Sequence, residues 1–225
     1  MTEYMLQKTR AVVEETEIAL FINDLEFNRF SCTPEALEEL CIGHLFCRGL
    51  IESPGQVNSI QIKGESCELA IHAALDTNAE AKDPGPDHAG PVRLPEIEEL
   101  QPLMNLLFDG AEKYKCHGGL HCSALYDGTR FVSHFEDVGR HNALDKVVGR
   151  ALMDGLDPGR LIYFTSGRVN SEIAAKAVIC GFPLIVSRSI TTTRACRIAE
   201  EANIGIIGRA ASGQPLLFNA PGNHA

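Results

Sequence analysis

The chain has 225 residues, a 44% apolar share and a formal net charge of −10, enough for one large domain or a domain with a smaller companion. It holds no apolar run near the roughly 20 residues a membrane helix needs, and its polar start with Glu3 does not read as a secretory leader, so a cytoplasmic protein without a membrane partner is expected. The charge is uneven: residues 1–110 hold 7 Lys+Arg against 20 Asp+Glu (−13), and residues 111–225 hold 13 against 10 (+3). That is no broad basic face of a general nucleic-acid binder; it suits a local anion pocket in an acidic protein.

Residues 17–22 and 25–30 read as two strands around an Asn23-Asp24 turn. Thr33-Pro34 opens a helix, Thr33 as N-cap and Pro34 at the first helical position, with Leu37, Leu40, Cys41 and Leu45 at helical spacing. Residues 57–62 and 67–73 form a second strand pair around Lys63-Gly64. Residues 76–96 carry four Pro, two Gly and no apolar period; this loop ends a smaller α+β N-terminal region, 1–96, and precedes a second domain, 97–225. There, one helix is expected over about 97–114, then a hairpin turning at Asp127-Gly128 with strands up to 125 and over 131–135, and a helix from about 141. Apolar strands 161–165 and 183–187, helices at about 170–180 and 192–202, and a last strand near 204–207 complete a β-α-β alternation. The fold class is therefore a layered α/β domain.

Three of these strands run into polar loops. The first holds Glu136, Asp137, Gly139, Arg140, His141 and Asn142, the second Ser166, Gly167, Arg168, Asn170, Ser171 and Glu172, the third Arg188, Thr191, Thr192, Thr193 and Arg194. If the strands lie side by side in a parallel sheet, all three loops open at one carboxyl edge, where open α/β sheets bind ligands, and helix N-termini there favour phosphate or another anion. Gly167 permits a tight turn with its backbone N–H groups close to an anion, and Arg168 can clamp a phosphate. Asn170 or Ser171 caps the following helix, whose positive end Glu172 favours. Arg140 and His141 can meet the same anion, with Glu136 or Asp137 orienting them or reading a ribose or guanine edge, and Lys146 one turn on. The plain alternative is ordinary strand-to-helix turns with solvated cations.

The eight cysteines, at 32, 41, 47, 67, 116, 122, 180 and 196, include no Cys-x-x-Cys pair, and reduced thiols are the expectation. Cys116, His117, His121 and Cys122 are ligand types that zinc uses. Strand alternation would set residues 117, 119 and 121 on one face and 116 and 122 on the other, which favours a packed strand start; there Gly118 and Gly119 admit a close neighbour and His121 points into the site. No dinucleotide-binding, phosphate-loop, α/β-hydrolase or zinc-deaminase motif occurs.

Together these stretches resemble the FdhD family of formate dehydrogenase accessory sulfurtransferases. The resemblance rests on residues 117–121 (HGGLH), 136–146 (EDVGRHNALDK), 166–176 (SGRVNSEIAAK), the Gly181-Phe182-Pro183 turn with its Ser/Thr stretch, Thr33-Pro34 and the Ile42-Gly43-His44-Leu45 helix. It implies a cytidine-deaminase-like α/β domain without deaminase chemistry, in a homodimer. It also implies that sulfur is carried from a cysteine desulfurase to the molybdenum of a bis(molybdopterin guanine dinucleotide) cofactor destined for formate dehydrogenase, with a guanine nucleotide as surrogate ligand. Cofactor contacts then fall on Gly118, Gly119, His121, Asp137, Gly139, Arg140, His141, Asn142, Ser166, Gly167, Arg168, Ser171, Glu172, Lys176, Thr191 and Thr192. By chain order they also fall on Arg209, Ala210, Ala211, Ser212, Gly213 and Gln214. No catalytic residue and no metal ligand is assigned. The family's sulfur-carrying Cys-x-x-Cys belongs in the 76–96 loop, which here contains no cysteine. Three readings follow: a sulfurtransferase using another thiol (Cys116 and Cys122 are nearest), a cofactor-binding chaperone without transfer, and a metal-dependent enzyme built on Cys116, His117, His121 and Cys122.

Overall fold

Alternation of buried and exposed side chains builds the first hairpin. β1 (Thr16–Ile22) buries Ile18 and Leu20 and pairs antiparallel with β2 (Leu25–Cys32). The linking Asn23 and Asp24 both take positive φ, 48° and 65°, as a tight hairpin turn requires and as Asn and Asp tolerate. β3 (Val57–Lys63) and β4 (Ala70–Leu75) complete a four-stranded sheet in the order β2-β1-β4-β3, with β1 and β4 parallel. The computed structural model describes residues 12–64, 70–76 and 92–220; the expected start of β4 at 67 and most of the 76–96 loop lie outside them.

Helix α1 (Leu37–Cys47) begins later than Thr33-Pro34 predicts, with Ala36 at its N-cap. Thr33 is engaged elsewhere: its N–H donates to Asp137 Oδ2 (3.1 Å) and its carbonyl accepts from Lys146 Nζ (2.9 Å). One side of α1 (Leu37, Leu40, Cys41, Leu45) packs into the core of the first sheet, while Cys47 joins the core of the second unit. Helix α4 (Arg140–Met153) lies against α1 in direct backbone contact. A methyl built on Gly43 would fall 1.7 Å from the Asp145 carbonyl oxygen, and one on Gly149 would fall 1.9 Å from that of Glu39. Only glycine admits this approach.

The expected helix at 97–114 is two, α2 (Ile97–Asp109) and α3 (Glu112–His117). The break arises because Glu136 accepts from the N–H groups of Lys113 (3.1 Å) and Tyr114 (2.6 Å), satisfying the start of a new helix. Consequently residues 116 and 117 end a helix instead of beginning a strand. The second sheet has six strands in the order β10-β9-β8-β7-β5-β6. β7 (Ile162–Thr165), β8 (Leu184–Ser187) and β9 (Gly205–Gly208) are parallel, and β5 (His121–Tyr126) runs antiparallel between β7 and β6 (Phe131–Asp137). β6 therefore points the same way as β7 to β9. The three loops do open at one edge, in a mixed sheet, and the reversed β5 delivers His121 to that edge from its N-terminal end.

α4, α5 (Ser171–Cys180) and α6 (Thr193–Glu201) cover one face of this sheet through Leu144, Val147, Ile173, Ala177 and Ala195 against Tyr163, Ile185 and Ile206. Helix α2 covers the other through Leu100, Met104 and Leu107 against Cys122, Ala124, Phe164 and Val186. With helices on both faces β7 and β8 are buried throughout, which is why they read as continuous apolar runs. β10 (Leu216–Asn219), an exposed edge strand antiparallel to β9, was not anticipated. No helix among the described residues is long and apolar enough to cross a membrane.

Candidate functional site

Strand register aligns the site. His121 pairs with Asp137, Ser123 with Thr165, and Thr165 with Ser187, so the ends of four strands stand in a row. The loops beyond are stitched together: Ser187 Oγ donates to the Gly167 carbonyl (2.7 Å), Val169 N–H to the Ile190 carbonyl (3.0 Å), and Arg209 N–H to the Ser189 carbonyl (2.7 Å). The turn after β9 thereby joins the edge. Arg209 there takes a left-handed φ of 54°, and the Ser212 hydroxyl closes the turn on the Arg209 carbonyl (2.7 Å).

Gly167 is the meeting point. A methyl placed on it would lie 3.1 Å from Arg140 Cβ, 3.2 Å from Arg140 Cδ and 3.3 Å from His121 Nδ1. The Ser166 hydroxyl accepts from the Cys122 N–H (2.9 Å) and lies 3.5 Å from His121 Nδ1. Burial, then the guanidinium of Arg140, push the His121 pKa down; Asp137 opposes them, and Arg168 adds a smaller push in the same downward direction. The shift favours the neutral imidazole. Arg140 Nε is buried without a hydrogen-bond partner among the described residues, and an orphaned, charged N–H of this kind is costly unless an acceptor arrives. Arg168, next in sequence to Gly167, is exposed and close enough to lower the His121 pKa. This arrangement can hold an anion.

Several expected contacts face inward. Asp137 is fully buried. Its Oδ2 meets Lys146 Nζ at 2.6 Å and accepts from the Thr33 N–H, while Oδ1 accepts from the Gly139 N–H (2.8 Å) and Asn142 Nδ2 (3.0 Å). Asn142 also donates to the Ser31 carbonyl (2.7 Å). The expectation that Asp137 reads a ribose or guanine edge does not suit this geometry: all its acceptor positions serve to lock β2 and α4 together. Thr192 caps α6, accepting from the Ala195 N–H, and Thr191 donates to the Val169 carbonyl, so both hydroxyls have partners within the protein. Ala210 is buried. Gly118 is the left-handed C-cap of α3 (φ 67°), and Gly119 faces Val13, 3.1 Å from an added methyl. Asn170, not Ser171, caps α5, by accepting from the Ile173 N–H (3.0 Å).

Another group lines a cleft of about 590 Å³ between the two units, with Phe27, Asn28 and Phe30 from β2, His44 and Cys47 from α1, and His141, Glu172 and Lys176 from α4 and α5. His141 Nε2 lies 3.3 Å from Glu172 Oε2; burial first, then Lys176 and Arg140, lower its pKa. Lys176 Nζ sits 2.5 Å from Asp145 Oδ1, and His44 Nδ1 2.9 Å from Asp145 Oδ2. The buried Asp145 carboxyl is held below its ordinary pKa, Lys176 and His44 outweighing desolvation. His44 and Asp145 were not anticipated as partners, although both lie in the stretches that carry the family resemblance. Nor were Tyr114 and Phe108: Arg188 of the third loop donates to the Tyr114 hydroxyl (2.6 Å) and lies over the Phe108 ring.

Among the described residues no group of three or more His, Cys, Asp or Glu is placed to hold a metal ion. Cys116 is exposed, whereas Cys122 is buried on β5, where burial and Glu136 push its thiol up to about 12.

The FdhD/NarQ family pattern matches residues 13–91 and 87–224. The Sulfur carrier protein FdhD of Listeria monocytogenes serovar 1/2a is 32% identical over 222 residues, 88% of this chain and 85% of that one. The protein of the same name from Shouchella clausii is 34% identical over 224 residues, 88% and 83% of the two chains. A crystal structure from Desulfotalea psychrophila, provisionally described as a formate dehydrogenase accessory protein, superposes with a TM-score of 0.78 at 24% identity, covering 93% of this chain and 88% of that one. The fold is shared along almost the entire length and so is the sequence pattern: the chain belongs to the FdhD/NarQ family.

Proposed function

We propose that this protein is an accessory factor of formate dehydrogenase maturation whose carboxyl-edge loops bind the guanine-dinucleotide pyrophosphate of a molybdenum cofactor. The observation that carries the reading is the orphaned Arg140 Nε, buried next to Gly167 and His121 with Arg168 at hand. A phosphate oxygen supplies the missing acceptor, and two guanidiniums suit a pyrophosphate. The names of the relatives, sulfur carrier protein and formate dehydrogenase accessory protein, agree with it. Titration calorimetry with guanosine diphosphate tests it. Binding should weaken with salt, and Arg140→Ala and Arg168→Ala should each weaken it about tenfold or more, as loss of a charge-assisted bond of roughly 1.5–3 kcal/mol requires. Affinity indifferent to both Arg140 and Arg168 would refute the site.

In this reading a cysteine desulfurase and a molybdenum-dependent formate dehydrogenase are the partners, and the protein acts in the cytoplasm as a homodimer. The 76–96 loop holds no cysteine, so sulfur carriage needs another thiol. Exposure favours Cys116 over Cys122, because a persulfide forms on an accessible thiolate and the Cys122 thiol is buried and pushed up to about 12. Incubation with a desulfurase and cysteine should add sulfur to the wild type and not to Cys116→Ala. No added sulfur in a protein that binds guanosine diphosphate would identify a cofactor chaperone.

A further inference from the structure

Two helices from different units end side by side at the floor of the inter-unit cleft. Cys47 is the last residue of α1 and Cys180 the last of α5, and their sulfurs are 3.6 Å apart across 133 residues of sequence. Both are nearly buried, at 2% and 4% exposure, yet Cys47 lines the cleft. The pair continues an existing bridge: His44, one turn before Cys47, and Lys176, one turn before Cys180, both bind Asp145. α1 and α5 are therefore held in register at the level where the thiols meet. A disulfide needs the sulfurs about 1.5 Å closer. Each cysteine is followed within two residues by a glycine at left-handed φ, Gly49 and Gly181, both at 68°, so both helices stop at the level of the thiols and closure takes a small shift of the two helix ends.

We propose that Cys47 and Cys180 form a dithiol that a peroxide closes to a disulfide, fastening α1 to α5 at the cleft floor. The Cys47 thiol gives up its proton and the thiolate attacks a peroxide oxygen; the O–O bond breaks, the leaving hydroxide takes up that proton as water, and a sulfenic acid remains. The Cys180 sulfur then attacks that sulfur, the S–S bond forms, and the hydroxyl departs with the Cys180 proton as a second water. Two thiols lose two electrons and one peroxide gains them. Burial and the neighbouring Cys180 hold the Cys47 thiol well above its ordinary pKa, with Lys176 opposing, so it reacts slowly at neutral pH, by way of the cleft that Cys47 lines and Cys122 does not, and the reaction accelerates as pH rises.

The full chain, treated with hydrogen peroxide, quenched with catalase, alkylated and digested without reductant, provides the test. The expected result is a peptide pair joined through Cys47 and Cys180 and released by dithiothreitol. A rise in melting temperature should accompany it, reversible by the same reductant and absent from Cys47→Ala and Cys180→Ala. The exposed Cys116, trapped by dimedone as its sulfenic acid, reports that oxidant reached the protein. Oxidised Cys116 together with Cys47 and Cys180 both recovered as alkylated free thiols would overturn the proposal, as would either of them joined to a different cysteine.

Discussion

Replacing Asp137 by Asn separates a structural carboxylate from a ligand-reading one. The side chain keeps its shape but loses its charge and one acceptor oxygen, while four donors still converge on it: Lys146 Nζ, the Thr33 and Gly139 N–H groups, and Asn142 Nδ2. Lys146 is 1% exposed, so its ammonium is left buried without a counter-ion. Breaking a buried pair in this way costs about 3–5 kcal/mol, a large share of the ~5–15 kcal/mol that holds a domain folded. With a urea dependence of ~2–3 kcal/mol/M, the unfolding midpoint should fall by roughly 1–2.5 M. Adding Lys146→Met should recover most of the loss, because removing both charges removes the desolvation cost along with the attraction. A midpoint unchanged in Asp137→Asn, together with weakened guanosine diphosphate binding, would refute the reasoning and return Asp137 to the ligand.

Gly149→Ala sets two opposed effects against each other. Helix propensity alone would favour alanine by about 1 kcal/mol, but the new methyl would meet the Glu39 carbonyl oxygen at 1.9 Å, driving α1 away from α4 and costing ~1–3 kcal/mol or more. A lower urea midpoint is expected, and an equal or higher one would show that the helices are not in backbone contact. For His121, the folded pKa is depressed by burial and by Arg140 and Arg168. Its contribution to stability is therefore present above the unfolded value near 6.5 and is lost as pH falls through the folded one. A bound phosphate offsets the two guanidiniums and raises that pKa, so binding takes up a proton. Guanosine diphosphate affinity should increase from pH 8 to pH 6, by at most about tenfold per unit for one linked proton. Calorimetry in buffers of different ionisation enthalpy measures the uptake, and the pH dependence should vanish in His121→Gln.

Periodicity made most elements legible. The Asn23-Asp24 turn, the continuous apolar runs of β7 and β8 and the Asn170 cap all follow from local chemistry, and a shared strand direction was enough to predict that three loops meet at one edge. What was not legible depended on long-range partners. Thr33 has the composition of a helix N-cap, yet its backbone is claimed by Asp137 and Lys146 more than a hundred residues away. The split between α2 and α3 depends on Glu136, two strands later. β10 lies at a sheet edge with three of its four residues exposed, and so lacks the alternation that marks a half-buried strand. Among candidate site residues, the cations and glycines of the three loops are legible because loops advertise them, and the structure places Arg140, Gly167 and His121 together. The long-range partners of Asp137 and Asn142 were not legible, since local sequence does not distinguish a carboxylate facing solvent from one with a buried lysine behind it.

That burial bears on how the candidate site works. Asp137 to Asn142 is one short segment with two faces. Inward, Asp137 and Asn142 fasten the end of β6 to the carbonyls and N–H groups of Ser31 and Thr33 in the first unit. Outward, the same turn sets Arg140 against Gly167 and His121. Because the Gly139 N–H is held by Asp137, the first turn of α4 starts from a fixed backbone, which sets the Arg140 side chain, its buried Nε unpaired, against Gly167. The cost of keeping that donor unpaired is met by the lock behind it, and a ligand anion that reaches it finds a donor already oriented, with little ordering left to do. In the proposed reading the smaller unit contributes to binding through the position that Ser31 and Thr33 impose on α4.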